Sequence, residues 1–214
     1  MQIALPDIGL PGDLALPALP RGLVVFVHGS GSSRHSSRNR FVAAALAKRG
    51  FATLLFDLLS EREDLDEAAR FDIELLTRRL LGTCTWIRGE ARLAALPLNL
   101  FGASTGAAAA LAAAAELDDG IAAVVSRGGR PDLVLPLLPR VTSPTLLIVG
   151  GADDIVIQLN RKAYAALRAP KELAIVPGAT HLFEEPGALE RVAELAGDWF
   201  ERHGVGRQPP RSHP

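Results

Sequence analysis

Short apolar runs alternate along this chain with longer stretches in which apolar residues return every three to four positions. The runs fall at residues 23–27, 52–56, 98–101, 122–126, 145–149 and 172–176. Each is rich in leucine or β-branched residues and too short for a stable helix, which predicts strands buried on both faces, as in a parallel sheet. The longer stretches, 39–49, 66–92, 105–116, 158–167 and 187–202, carry the helical period. Strand and helix in alternation predict an α/β fold, with crossover helices covering both faces of a mostly parallel sheet. Right-handed crossovers bring the carboxyl ends of all such strands to one edge, where ligands bind. The segments beginning at His28, Asp57, Gly102, Arg127, Gly150 and Pro177 are therefore expected to share one rim.

The two ends differ from the middle. Residues 1–20 are punctuated by Pro6, Pro11, Pro17 and Pro20 and are expected to supply a short edge strand. Residues 204–214 are rich in glycine, proline and arginine and are expected to form a disordered tail, leaving 1–203 as one domain. With 214 residues and 48% hydrophobic content, one large core is within reach. The run at 107–115 is almost all alanine; small side chains let a helix press closely on a sheet, and this reading is preferred to a membrane segment.

Charge and cysteine content narrow the classes of partner. A net charge of −1 provides no field for a nucleic acid. One cysteine, Cys84, allows no intramolecular disulfide and no zinc pattern, and is read as a buried thiol. The prolines interrupt any secretory leader, so the expected location is the cytoplasm, with no membrane partner. No cofactor and no metal are expected.

The chemistry concentrates in three places. Gly102-Ala103-Ser104-Thr105-Gly106 lies between a strand-like and a helix-like segment. G-x-S-x-G in that context is a nucleophile elbow: the glycines let the chain reverse sharply, with the serine hydroxyl at the tip of the turn. The motif alone is weak, and partners must support it. Asp153 follows the run at 145–149, and His181 follows the run at 172–176. The chain order is Ser, Asp, His, the order used in α/β-hydrolases. Asp154, adjacent in sequence, and Asp132, after an earlier strand, are the other candidate acids.

Taken as a set, His28-Gly29-Ser30-Gly31-Ser32-Ser33, the Ser104 elbow, Gly150-Gly151-Ala152-Asp153-Asp154-Ile155-Val156 and Gly178-Ala179-Thr180-His181 resemble the dienelactone-hydrolase-like group of α/β-hydrolases over about residues 20–202. Dienelactone hydrolases proper carry cysteine at the elbow, whereas this chain has serine. The resemblance therefore implies a serine esterase-like hydrolase acting on an ester, thioester or lactone of a small molecule. It implies Ser104 as nucleophile, His181 as general base and Asp153 as the acid that orients it. It also implies an oxyanion hole made of the backbone N–H groups of Thr105 and Ser30. His28 is expected to anchor its loop without transferring a proton, and Asp57 to brace that loop. Gly29-Ser30-Gly31-Ser32-Ser33-Arg34 lacks both the third glycine of a dinucleotide fingerprint and the Gly-Lys of a P-loop.

Only 127–143 separates two predicted strands where related folds insert a lid, so no large cap domain is expected; the long segment at 66–92, with Trp86, is expected to overhang the site instead. Arg34, Arg38, Arg40, Arg127 and Arg130 make the predicted rim basic in a chain that is neutral overall. Arg34 and Arg127 are therefore candidate ligands for a carboxylate- or phosphate-bearing substrate. The alternative is a solvated face with ion pairs to Glu61, Glu63 or Asp132. Two other functions stay open: a hydrolase-fold protein that only binds a ligand or partner, and acyl transfer to an acceptor other than water, an alcohol or a peroxide.

Overall fold

The computed structural model describes residues 1–205. Eight strands form one sheet: β1 (Gln2–Ala4), β2 (Gly9–Ala15), β3 (Leu23–Val27), β4 (Ala52–Phe56), β5 (Leu98–Ala103), β6 (Ala123–Arg127), β7 (Thr145–Gly150) and β8 (Lys171–Val176). Their order is β1-β2-β4-β3-β5-β6-β7-β8, and every neighbouring pair from β4 to β8 is parallel. The helices are α1 (Ser37–Lys48), α2 (Glu67–Phe71), α3 (Ile73–Gly89), α4 (Thr105–Leu117), α5 (Asp154–Ala166) and α6 (Ala188–His203).

Alternation along the strands divides the core in two, because successive side chains point to opposite faces. Leu23, Val25, Val27, Leu54, Leu100, Val124 and Leu147 pack with the alanines of α4 and with Leu76 and Leu80 of α3. Val24, Phe26, Phe101, Val125, Leu146 and Ile148 pack on the other face with Val42 and Leu46 of α1 and Val192, Trp199 and Phe200 of α6. Residues 107–115 are all buried, which is the close helix-on-sheet packing that the alanine run predicts. Among the described residues no helix is long and apolar enough to cross a membrane.

The structure departs from the sequence reading in several places. Residues 1–20 give two strands, not one: β1 pairs antiparallel with β2, and β2 pairs antiparallel with β4. β8 is only partly buried, because it lies at the end of the sheet with a single neighbour. The long segment at 66–92 is two helices. Asp66 and Asp72 each accept a backbone N–H, from Ala68 and Leu75, both at 2.9 Å, so each caps a new helix start instead of continuing the previous one. Trp86 does not overhang the rim; it packs half-buried against the α3–α4 core. The nearer cover is the segment after β4, where Leu58, Leu59, Asp64 and Arg70 line a small cavity with His28, Ser30 and Gly31. A 3-10 stretch, Pro131–Arg140, fills the connection between β6 and β7. Gly204 and Val205, read as part of the tail, are packed: the Gly204 carbonyl accepts from Asn99 Nδ2 at 2.9 Å and Val205 lies against the α6 core. The rest of that tail lies outside the described residues.

Candidate active site

Ser104 stands between β5 and α4 with φ 51° and ψ −123°, a conformation that L-residues rarely adopt and that costs on the order of 1–3 kcal/mol. Backbone bonds on both sides fix it: its N–H donates to the Arg127 carbonyl at 3.2 Å, and its own carbonyl accepts from the N–H groups of Arg130 and Ala107, both at 3.1 Å. The elbow needs its glycines for space. A β-carbon on Gly106 would lie 2.2 Å from the Val27 carbonyl oxygen, and one on Gly102 would lie 2.5 Å from Ala107 Cα.

The acid and the base come from the two strands beyond. Asp153 precedes α5 at the end of β7, and His181 lies in the loop after β8. That loop closes onto the β7 end through Gly151 N–H to Val176 O at 2.8 Å and Ala152 N–H to Ala179 O at 2.9 Å. Gly150 permits the approach, since a β-carbon there would meet the Ala179 carbonyl at 2.4 Å. His181 Nδ1 and Asp153 Oδ2 are 2.7 Å apart, a short charge-assisted bond. With the carboxylate accepting, the Nδ1 proton is fixed and Nε2 is left free to accept one. The other candidate acids are placed otherwise: Asp132 is held by two bonds of 2.9 Å from Arg130, and Asp154 opens α5. Ser104 Oγ makes no hydrogen bond to His181 among the described residues; such bonds are often long in unliganded sites and tighten with substrate.

The loop after β3 passes directly over the elbow, with Gly29 close enough that a β-carbon would lie 2.9 Å from Ser104 Cβ. His28 is buried and has both ring nitrogens engaged: Nε2 accepts the Leu58 N–H at 3.1 Å, so Nδ1 carries the proton given to Gly29 O at 3.0 Å. Burial pushes its imidazole below the usual histidine range, and no ring nitrogen is left for proton transfer. Asp57 braces the loop by accepting the Arg34 N–H at 2.6 Å together with the Arg34 guanidinium. The Ser30 N–H, expected in the oxyanion hole, donates to the Thr105 hydroxyl at 2.8 Å. Sequence reasoning missed that contact because it joins residues far apart in the chain. Cys84 is enclosed in the α3–α4 core, where burial pushes its thiol up to about 12.

The two candidate anion-binding arginines have different surroundings. Arg34 is paired with Asp57 and lies 3.9 Å from Asp13, so its charge is already met. Arg127 is 6% exposed, and among the described residues no carboxylate pairs with it. Among the described residues its side chain makes one hydrogen bond, from Nη2 to Asn39 Oδ1 at 3.3 Å; its Nε has no partner there, and its guanidinium lies over the Phe183 ring at 5.8 Å. Burial, with the neighbouring Arg38 charge, pushes it down to about 10. Arg38 also has a buried, unpartnered Nε, while its Nη1 reaches Glu184 at 3.0 Å.

A strained serine between strand and helix, with an Asp–His pair on the loops after β7 and β8 of a mostly parallel sheet, defines the α/β-hydrolase fold. Comparison with known proteins narrows this class. The family model described as "Dienelactone hydrolase family" matches residues 10–203, and the chain belongs to that family. A crystal structure of a dienelactone hydrolase from Anabaena variabilis is 49% identical, with a TM-score of 0.92 over 95% of this chain and 96% of that one. Est1E from Butyrivibrio proteoclasticus, solved with ferulic acid bound, shares the fold at 17% identity, with a TM-score of 0.82 over 95% of this chain and 98% of that one. A Mycobacterium tuberculosis protein that carries the provisional name of a phosphoribosyl transferase is 54% identical over 98% of this chain. That match covers 47% of the mycobacterial protein, so the chain spans about half the length of the curated relatives it matches.

Proposed function

We propose that this chain is a serine hydrolase that cleaves an ester, thioester or lactone of a small molecule through an acyl-enzyme on Ser104. The observation that carries the reading is the 2.7 Å Asp153–His181 bond, together with a serine held in a strained strand-to-helix turn of the same sheet. Ser104 Oγ attacks the carbonyl carbon while His181 Nε2 takes its proton, and Asp153 stabilises the imidazolium. Negative charge then forms on the carbonyl oxygen, facing the Thr105 N–H at the positive end of α4. Collapse of this intermediate expels the leaving group, which receives the proton from His181. Water, activated by the same histidine, releases the acid and restores Ser104.

Arg127 favours an anionic substrate. A buried guanidinium without an acid is costly, and a carboxylate or phosphate on the ligand would supply the missing charge. The transferase name belongs to a protein about twice as long, yet it is a reason to include phosphoribosyl esters among the compounds tested.

Intact mass after treatment with a small fluorophosphonate tests the triad: a single adduct is expected on the wild type and none on Ser104→Ala. An unlabelled but folded wild type would refute the reading and favour a ligand-binding protein. Product analysis with added alcohol or peroxide separates hydrolysis from transfer to those acceptors. Arg127→Met should raise KM for acidic esters by about tenfold or more, with neutral esters little affected, while stability is kept or increased. An equal rise for both ester classes would remove the anionic preference.

A further inference from the structure

The Thr105 hydroxyl occupies an unusual position. Its oxygen lies 2.8 Å from the Ser30 nitrogen, where the oxygen of a reacting carbonyl would lie if that N–H faced the substrate directly. Thr105 is 3% exposed and follows the nucleophile as the first residue of α4. A hydroxyl carries one hydrogen besides its acceptor sites, and that hydrogen needs somewhere to go. The threonines of α3 solve this locally: Thr77, Thr83 and Thr85 donate to the carbonyls of Ile73, Arg79 and Leu81, four residues back, at 2.6, 2.9 and 3.1 Å. Thr105 has no such outlet. Four residues before it lies Phe101, inside β5, and among the described residues its hydroxyl has no acceptor.

We infer that the Thr105 side chain is itself an oxyanion donor: it accepts the Ser30 N–H and passes its own hydrogen to the carbonyl oxygen. The oxyanion then receives two bonds from one residue, the Thr105 N–H and the Thr105 hydroxyl, with Ser30 acting one step behind. No atom changes owner: the hydroxyl keeps its hydrogen, and the bond tightens as charge forms and relaxes when the carbonyl is restored. Donation from the Ser30 N–H polarises the hydroxyl and strengthens the bond it makes in turn. This inference rests on Ser104 being the nucleophile, and it places a catalytic side chain where the family resemblance supplied only backbone.

Three variants at one position test it, assayed with p-nitrophenyl acetate and with phenylboronic acid, which forms a tetrahedral anionic adduct on an active serine. Thr105→Val keeps the branched shape and removes the hydroxyl. It should lower kcat by about 10²–10³-fold with little change in KM, the range typical of a lost oxyanion donor, and should weaken the boronate to a similar degree. Thr105→Ser returns the hydroxyl and should recover most of both losses. Thr105→Ala should be as slow as the valine variant, and it serves in place of Thr105→Val if that variant does not fold in a thermal melt.

Undiminished kcat and boronate affinity in folded Thr105→Val would overturn the inference and leave the Ser30–Thr105 bond as a structural tie. A Thr105→Ala variant faster than the wild type would also overturn it, showing that the side chain plugs the hole. A wild type that neither labels at Ser104 nor turns over ester removes the serine-hydrolase reading and this inference with it. Labelling at Ser104 with undiminished variants removes this inference alone.

Discussion

An alanine at Gly106 would place its β-carbon 2.2 Å from the Val27 carbonyl oxygen and 2.4 Å from that of His28. Both obstacles are backbone, so no side chain can swing aside. Relief requires the start of α4 to withdraw from β3 by about 1 Å to restore van der Waals contact. The helix has no slack for this, because Ala107 to Ala110 are fully buried against the sheet. Overpacking of this kind typically costs 1–3 kcal/mol. A clash on two carbonyls belongs near the upper end, and alanine's helix preference over glycine returns about 1 kcal/mol. The net expectation is a loss of about 2 kcal/mol, or roughly 4–8 °C in Tm for a chain of this size. The same shift moves Ser104 away from the loop after β3, and about 1 Å of misplacement can lower the rate on the order of 100-fold. Urea midpoints and kcat/KM for an ester would measure both. Gly89→Ala is the control: a β-carbon there meets nothing within 4 Å, and the change should leave stability equal or slightly higher. If Gly106→Ala melts with the wild type and keeps its kcat/KM, the close helix–strand approach is not what shapes the elbow.

Other outcomes follow from the same geometry. Asp153→Asn should reduce kcat by about 10³–10⁴-fold, because an amide lets the imidazole hold the wrong tautomer; labelling of Ser104 should slow in parallel while the fold survives. His28 stays neutral in the fold while its unfolded form protonates near pH 6.5, so its contribution to stability is complete above that pH and is lost as pH falls through it. The slope can reach about 1.4 kcal/mol per pH unit. Burial and the Arg202 charge lower His203 in the same sense, so the informative quantity is the difference between wild type and His28→Gln in urea midpoints at pH 7.5 and 5.0, which should show a flatter dependence in the variant. Arg34→Ala should affect acidic and neutral esters alike, because its charge is spent on Asp57; selective damage to acidic esters would return Arg34 to the substrate site.

The interior of the sheet was legible because β3 to β7 are buried on both faces, and burial on both faces leaves an uninterrupted apolar run in sequence. β1 and β2 were less so: the prolines around them and Pro11 within β2 read as punctuation, yet β2 lies between β1 and β4 and takes Pro11 opposite Gln2 at a point where β4 has ended, since its pairing with β4 starts at Gly12 opposite Phe56. The break at Asp72 was hidden because the helical period continues through it and only the capping bond marks the new start. Ser104, Asp153 and His181 stood out as candidates because each comes within five residues of the end of an apolar run. The arginines could not be sorted that way. Whether an arginine meets an acid depends on residues distant in sequence: Asp57 reaches Arg34, whereas among the described residues no acid reaches Arg127. Thr105 illustrates the same limit, since G-x-S-x-G specifies the turn and leaves open where the neighbouring hydroxyl points.

β8 is hydrogen-bonded to a single neighbour, β7, is partly exposed along its length, and carries His181 on the loop that follows. Outer elements of this kind open locally at a lower free energy than the core requires. Detachment of β8 would take the imidazole away from Asp153 while β5 still held Ser104 at its elbow. Warming should thus silence the protein before it melts, and amide exchange in β8 should rise at the temperature where turnover fades, ahead of exchange in β3 and β5.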